Sequence, residues 1–349
     1  MEPNLAAMRE HRIEFTGTGK EYFGIWIVNI LLTILTLGVY SAWAKVRNRK
    51  YFYNNTWLDG SPFDYLASPV AILKGWLIAA AVFIVYTLTA DFAPAISLII
   101  LAFIILVTPW VVVRAMRFNL INTAYRNVRF SFRKNYQDSN KVFLGWMFVS
   151  MLTLGMAFPY YYYRQKKFAL DNASFSQDCF SLDAIGREFY LLFFKALGVT
   201  VLFFIVLFGS FFGIGFGVGL SDIGSDTIGA TAGVITNILV YLFIIFMVAY
   251  FNVRVNNLIW NNVSLGQHRF RSVMRVWPMF IIYFTNLLAI VFTLGLMIPW
   301  AKVRTARYRL HHTSMLTAHN LDAYVTERMQ EQNALGDQLG EAFDIEIGL

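Results

Sequence analysis

A short stretch ending in Thr-Leu-Gly interrupts three apolar runs and constrains the fold of this chain more than any other feature. The three copies lie at residues 35–38, 152–155 and 292–295. In every copy an arginine follows the glycine after nine residues, at Arg47, Arg164 and Arg304. Because one interval is kept in all three copies, the sequence predicts an internal repeat.

A second pattern follows the apolar runs: an arginine, an asparagine eight residues later, and a phenylalanine after eight more. It occurs at Arg47/Asn55/Phe63, Arg114/Asn122/Phe130, Arg164/Asn172/Phe180 and Arg254/Asn262/Phe270. A fifth, degenerate copy has His312 and Asn320 after Arg304. Two of the arginines recur 140 residues later, which predicts a tandem duplication. The predicted segments are an N-terminal segment 1–14, a half-repeat 15–69, repeat A 70–187, repeat B 188–320 and an acidic tail 321–349.

Composition indicates a membrane protein. Hydrophobic residues make up 57% of the 349 residues, and charged residues only 14%. The hydrophobic fraction is higher than a soluble core of this size requires, and it is typical of a polytopic membrane protein. The one cysteine, Cys179, excludes an intramolecular disulfide. Residues 1–21 contain no apolar segment, so no signal peptide is expected.

Seven apolar segments are near the roughly 20 residues that cross a bilayer. They lie at 22–42, 73–92, 94–113, 142–163, 189–212, 228–253 and 277–301. If all seven crossed, the 27 Lys and Arg residues of the N-terminal region, the connectors and residues 302–320 would divide 11 against 16. If only the four uninterrupted segments crossed, all 27 basic residues would lie on one side of the membrane. The connections on the opposite side would carry Asp91, Asp222 and Asp226. The positive-inside rule therefore favours four spanning helices, three re-entrant or in-plane elements, and cytoplasmic termini.

Local sequence also favours a break at each Thr-Leu-Gly stretch. The preceding apolar helix has about 15 residues, or about 22 Å, and is shorter than the roughly 30 Å hydrocarbon core. Glycine adopts the left-handed conformation that ends a helix. Pro159 and Pro299 follow four residues later, where each suits the start of a second, basic helix. The alternative interpretation is a kinked helix that crosses fully.

Between each asparagine and phenylalanine of the second pattern, aromatic and β-branched residues flank turn formers. Asn55 to Phe63, with Asp59-Gly60 at its centre, is an example. This pattern predicts five short cytoplasmic β-hairpins. Because one hairpin alone is marginal in water, we expect them to pair with one another or to pack on the membrane-facing ends of helices.

Several residues near the breaks are candidates for a polar path: Asn29, Asn286, Thr36, Gly38, Thr153, Gly155, Thr293, Gly295 and Lys195. An amide in an apolar helix must find a partner, which is either another helix or a ligand or ion. Lys195 lies within an apolar run, where it either extends to the interface or lines a path.

A second set of candidates suits contact with anionic lipids at the cytoplasmic face: Trp43, Lys45, Arg47, Trp300, Lys302 and Arg304. The tail carries a net charge of −6 and the rest of the chain +14, so we expect residues 337–346 to dock on the basic hairpins. No Ser/His/Asp set, zinc motif or pair of intramembrane carboxylates occurs. Enzyme activity, a cofactor, a metal and a nucleic-acid partner are therefore not expected.

The stretches that carry a family resemblance are residues 15–19, Asn29, 35–38, 43–47, 55–56 and 343–349. Together they resemble the YjgN family of bacterial inner-membrane proteins over nearly the whole chain. The second copy departs from the Trp-Ala-Lys-Val-Arg block, with four tyrosines before Arg164. That family is a domain of unknown function, so the resemblance implies a bacterial inner membrane but no substrate.

Two functions remain open from the sequence. Repeats with broken helices are typical of channels and transporters, where backbone groups surround a cavity at membrane depth. Basic helices at the inner interface suit instead a membrane-organising or anionic-lipid-binding scaffold. A polar cavity that reaches the breaks would favour transport, and an apolar core with polarity at the inner face would favour the scaffold.

Overall fold

The computed structural model describes residues 8–219, 225–318, 324–328 and 330. Within them, β-hairpins alternate with helical hairpins along the chain. The strands are β1 (Arg9–Phe15), β2 (Thr56–Leu58), β3 (Ser61–Tyr65), β4 (Thr123–Tyr125), β5 (Val128–Phe132), β6 (Ala173–Phe175), β7 (Asp178–Leu182), β8 (Val263–Leu265), β9 (His268–Ser272) and β10 (Thr313–Thr317).

The helices are α1 (Gly19–Leu35), α2 (Ser41–Asn54), α3 (Pro69–Phe92), α4 (Pro94–Ile121), α5 (Tyr136–Asn140), α6 (Met147–Leu152), α7 (Phe158–Asp171), α8 (Gly186–Gly219), α9 (Ser225–Asn261), α10 (Val276–Phe292) and α11 (Ile298–His311). A π-helical turn, Lys141–Trp146, joins α5 to α6. Asp222 and residues 337–346, which entered the charge arguments, lie outside the described residues, as does Asn320.

The ten strands form one closed antiparallel barrel in the order β1-β10-β9-β8-β7-β6-β5-β4-β3-β2. The prediction of five hairpins is wrong in number, because the described residues contain four hairpins and β10 is a single strand between β9 and β1. The expectation that the hairpins pair with one another is confirmed. Strand β1 closes the barrel by pairing at one end with β10 and at the other with β2. Closure satisfies the backbone groups that short hairpins leave unpaired at their edges.

All five helical hairpins leave the barrel from the same end. This follows from the topology, because tight strand turns and helical connections alternate around an antiparallel barrel. Helices that are neighbours along the chain pack against each other, and α11 packs against α1 to complete the ring.

Among the residues that the structure describes, four helices are long and apolar enough to cross a membrane, as the sequence predicted: residues 69–92, 94–121, 186–210 and 231–261. The other three helical hairpins are shorter. Each has 17 residues before the Thr-Leu-Gly stretch, with α5, the π-helical turn and α6 acting as one arm, and 14 residues after it. At about 1.5 Å per residue the arms measure about 26 and 21 Å.

The asparagines of the second sequence pattern are helix caps that join helix to barrel. Asn55, Asn122, Asn172 and Asn262 each donate a side-chain hydrogen bond to the carbonyl four residues earlier, at 2.7–2.9 Å. In the degenerate copy His312 takes this place, with Nδ1 2.8 Å from the Tyr308 carbonyl. The carbonyl of each cap accepts a backbone N–H from beyond the neighbouring strand, at 2.8–3.0 Å. At each of these positions the side chain thus ends the helix, and the backbone carbonyl of the same residue fixes the strand beside it.

The phenylalanines of the same pattern fill the barrel. Phe63, Phe130, Phe180 and Phe270 pack around a core whose buried members include Tyr125 and Phe175. Phe63 lies 4.9 Å from Tyr125, and Phe130 4.9 Å from Phe175, between ring centroids. Val325, in the short helical segment 324–328, is buried against the same core. The barrel interior is therefore an apolar packed layer.

Candidate amphiphile-binding site

The three Thr-Leu-Gly turns share one hydrogen-bonding pattern. The glycine N–H donates to the carbonyl five residues earlier at 2.8 Å, and the leucine N–H donates to the carbonyl three residues earlier at 3.1–3.2 Å. This pair of bonds is the Schellman ending of a helix. The threonine hydroxyl accepts the N–H of Tyr40, Ala157 or Met297 at 2.9–3.1 Å, where the second helix begins. Threonine and glycine therefore produce the break together.

Positive φ values confirm the predicted role of Gly38, Gly155 and Gly295, at 92°, 86° and 94°. The preceding leucines, at positions 37, 154 and 294, also have positive φ, near 50°, which the sequence did not predict. Their exposed fractions are 91–95%. The left-handed conformation costs a leucine about 1–2 kcal/mol, whereas moving its side chain out of water gains about 1.5–3 kcal/mol. A leucine at this site is favoured where the surroundings are apolar.

The two candidate asparagines bridge the helices of their own hairpins. Asn29 donates to the Asn48 side chain at 3.0 Å, and Asn286 donates to the Thr305 hydroxyl at 3.2 Å. Arg304 donates to the Asn286 side-chain oxygen at 3.3 Å. Neither asparagine lines the cavity described below, and Lys195 is exposed on α8.

Of the residues predicted to contact anionic lipids, three pack against other residues of the protein and three are exposed cations. Trp300 packs over Gly19, where an added Cβ atom would lie 3.1 Å from the indole, and Arg304 lies over the Trp300 ring at 5.0 Å. Trp43 stacks on Tyr40. The three exposed cations are Lys45, Arg47 and Lys302. Of the predicted set, Lys45 borders the cavity.

The helical cations lie at a common level, which we call the basic collar. Every described Lys and Arg within the helices lies no more than nine residues from the barrel end of its helix, or about 14 Å. The outermost members are Lys45, Arg114, Arg164, Lys195, Arg254 and Lys302. Beyond the collar, the described parts of the helices contain two charged residues, Asp91 and Asp226, and both are acidic.

A cavity of about 1120 Å³ opens between α2, α3 and α4. Its walls are apolar side chains, among them Ile72, Ile78, Val82 and Phe83 of α3, and Phe103, Ile104, Val107 and Val111 of α4. The lining of α3 runs from Ala71 to Tyr86. That length is about 22 Å, which exceeds half of a roughly 30 Å hydrocarbon core.

Five cations border the barrel side of this cavity: Lys45, Arg49, Arg114, Arg117 and Lys134. The Arg49 guanidinium is held in place because it donates to the Tyr65 hydroxyl at 2.8 Å and to the Asn119 side chain. Arg114 lies over the Trp110 indole at 4.5 Å. The lining contains no Asp or Glu, and none of the five cations pairs with a described acidic residue.

Apolar walls beside unpaired cations suit a ligand with an apolar chain and an anionic head. Such a ligand would bury its chain between α3 and α4 and offer oxygen acceptors to the guanidinium and ammonium groups. Burial of the chain supplies affinity in water, whereas in a bilayer the charged rim supplies the preference for one lipid over another. The arrangement therefore selects by head-group charge.

Sequence reasoning missed Arg49, Arg114, Arg117 and Lys134 as site residues. A signal was present, because Lys45 and Arg49 are one helical turn apart and therefore share a face. Arg114 and Arg117 also share a face, at the end of an apolar run. What joins the two pairs is the barrel, which places α2 and α4 on either side of α3.

Four long apolar helices and a cavity suited to an amphiphile define a multi-pass membrane protein. The chain belongs to the family described as bacterial protein of unknown function (DUF898), whose model matches residues 10–342.

Two relatives carry the same printed description, inner membrane protein YjgN. The chain is 34% identical over 124 residues to the protein of Salmonella typhimurium, and 32% identical over 129 residues to that of Escherichia coli strain K12. Each match covers 35% of this chain and 31% of the relative, so the chain spans about a third of the length of these curated relatives. No solved structure matches.

Proposed function

We propose that this chain is an inner-membrane protein that binds an anionic lipid in the cavity between α2, α3 and α4. The observation that carries the proposal is the pairing of an apolar cavity of about 1120 Å³ with five cations and no acidic residue in its lining. The location follows from the relatives, which are described as inner membrane proteins.

Transport is less well supported as a function. The best polar candidates, Asn29 and Asn286, already bond across their own hairpins. The barrel interior is packed with phenylalanine side chains, so a solute that passed along its axis would have to displace them. We therefore place lipid binding first. Solute flux through purified protein in liposomes, lost in an Asn29→Leu/Asn286→Leu variant, would reverse that order.

The lipid-binding proposal is tested by the lipids that the protein retains. Protein purified from vesicles of mixed phosphatidylethanolamine and phosphatidylglycerol is analysed by native mass spectrometry. We expect Arg114→Gln/Arg117→Gln/Lys134→Gln to lose most of the retained phosphatidylglycerol, because the rim charge is removed. Lys302→Gln, an exposed cation away from the cavity, is the control.

A second variant separates the cavity from general surface charge. Ala79→Trp places a bulky side chain in the cavity and leaves all five cations intact, so it should also lose the retained lipid. Ala81→Trp is matched to it, because Ala81 is exposed on α3 and does not line the cavity. Equal retention by both tryptophan variants and the parent protein would refute a cavity site.

The proposal includes a topology and a repeat. We propose that the barrel and both termini are cytoplasmic, that four helices cross, and that the three Thr-Leu-Gly hairpins enter and return on the cytoplasmic side. The common departure of all helices from one barrel end supports this arrangement, as does the basic collar. The recurrence of one turn geometry in three hairpins supports the internal repeat of about 140 residues.

Cysteine labelling tests the topology in a Cys179→Ser background. Cysteines at positions 45 and 302 should react with an impermeant maleimide only from the cytoplasmic side, and a cysteine at position 91 only from the other side. Labelling of position 45 or 302 from outside would contradict the cytoplasmic assignment and favour kinked helices that cross fully.

A further inference from the structure

We infer that the three Thr-Leu-Gly hairpins act as wedges in one leaflet and make the protein prefer membranes whose cytoplasmic leaflet is convex. The exposed surfaces of the turns then contact the acyl chains of that leaflet. The inference rests on the proposed topology and goes beyond it, because it assigns the hairpins an interaction with membrane shape.

The depth of the turns supports insertion into a single leaflet. Lys45 and Lys302 lie nine residues from the barrel end of helices that have 14 residues each. The second arms therefore extend about 6 Å beyond the collar, and the 17-residue first arms, about 26 Å long, extend about 12 Å beyond it. Half of a roughly 30 Å hydrocarbon core is about 15 Å. With the collar at head-group level, the turns end inside the cytoplasmic leaflet.

The turns have the apolar, uncharged surface that contact with acyl chains requires. The left-handed leucines at 37, 154 and 294 are more than 90% exposed, and Leu35, Leu152 and Phe292 beside them are 68–82% exposed. Residues 35–41, 152–158 and 292–298 contain no charged side chain. Three strained leucines in equivalent places, each pointing away from the protein, indicate contact with hydrocarbon.

The resulting protein is wider in one leaflet than in the other. Ten helical arms leave the barrel and enter the cytoplasmic leaflet, whereas the four long helices alone continue into the opposite leaflet. Six additional arms, each about 10 Å in diameter, expand one side of the bilayer. Insertion into one leaflet is favoured where curvature has already opened that leaflet.

Reconstitution into vesicles of two sizes tests the inference. The outer leaflet of a small sonicated vesicle is strongly convex, so the barrel should face outward in a larger fraction of molecules there than in large extruded vesicles. Cys179, the exposed cysteine of the barrel, reports orientation through labelling with an impermeant maleimide. We expect a several-fold higher outward-to-inward ratio in the small vesicles.

Matched variants isolate the role of the turns. Leu37→Asn/Leu154→Asn/Leu294→Asn keeps a residue that tolerates the left-handed conformation but removes its apolar side chain, and it should abolish the size dependence. Leu37→Met/Leu154→Met/Leu294→Met remains apolar and should preserve the dependence.

Spin labels at positions 37, 154 and 294 separate failure of the inference from failure of the topology. Labels that oxygen reaches and a water-soluble nickel chelate does not, together with an unchanged orientation ratio, would overturn the wedge and leave the topology intact. Labels accessible to the chelate from the side opposite Cys179 would overturn both.

Discussion

At the scale of single residues, one asparagine decides how a helix joins the barrel. Asn172 is 7% exposed and donates to the Phe168 carbonyl at 2.9 Å. We expect Asn172→Ala to lower the free energy of unfolding by about 1–2 kcal/mol, because the carbonyl loses its partner at a buried helix end.

The control for Asn172 makes the same bond in another context. Asn237 donates to the Gly233 carbonyl at 2.9 Å, but it is exposed in the middle of α9. Alanine raises helix propensity there, so Asn237→Ala should be neutral or slightly stabilising. Equal losses in both variants, measured by thermal unfolding in detergent, would show that the bond and not the cap position matters.

The glycines of the turns give a second prediction at this scale. Gly295 has φ of 94°, and an added Cβ atom would meet only Ile298, at 3.6 Å. Gly295→Val should therefore destabilise the protein by about 1–2 kcal/mol through backbone conformation rather than through a clash. Gly198→Val is the control, because Gly198 lies in helix α8 with open space around it. A fall in melting temperature confined to Gly295→Val is expected.

At the scale of elements, β1 is the strand that closes the barrel. Ile13 pairs with Leu58 of β2, while Arg9 pairs with Thr317 of β10. Ile13→Pro removes a strand N–H and should open the barrel beside β2, which exposes an edge for association with other chains.

Size-exclusion chromatography measures that association. We expect Ile13→Pro to form higher oligomers, and Met8→Pro, placed just before β1, to remain as the parent protein does. A monodisperse Ile13→Pro protein with unchanged melting temperature would indicate that barrel closure contributes little to stability.

At the scale of the whole molecule, Asp178 holds the segment 324–328 against the barrel. Its carboxylate accepts a hydrogen bond from the Tyr324 hydroxyl at 2.6 Å and pairs with Arg328 at 3.3 Å. Burial, and then the neighbouring Asp178 carboxylate, raise the pKa of Tyr324, so the phenol stays protonated and remains a donor at neutral pH. In this ion pair the carboxylate belongs to the barrel and the guanidinium to the segment 324–328. The predicted docking of residues 337–346 on the basic hairpins concerns residues outside the described part of the chain.

Limited proteolysis tests this attachment. We expect Asp178→Asn to increase the rate of tryptic cleavage at Arg328 several-fold, because the amide carries no charge to pair with the guanidinium. Asp183→Asn is the control, because Asp183 is an exposed carboxylate directly after β7, the strand that contains Asp178. In this variant Arg328 should be cleaved at the parental rate. Identical rates in both variants would show that the packing of Val325 and Tyr324 on the barrel core is enough to retain the segment.

Local sequence is enough to specify those parts of this protein that depend on neighbouring residues. The break at Gly38 and its equivalents follows from glycine and threonine within one helical turn. The four long helices follow from the lengths of uninterrupted apolar runs. The Arg-Asn-Phe spacing identified the caps and the barrel phenylalanines as a repeated feature, although their roles were visible only in the structure.

The pairing of the strands and the position of the cavity depend instead on contacts between segments that are far apart in the sequence. A three-residue strand such as Thr56–Leu58 has the same local preferences beside any partner, so nothing near it in sequence specifies β1. The closing pair joins Arg9 to Thr317 across almost the whole chain. Arg49 likewise meets Asn119 only because the closed barrel sets α2 and α4 around α3. Contacts between distant segments depend on the closure of the whole barrel, which no short stretch of sequence encodes.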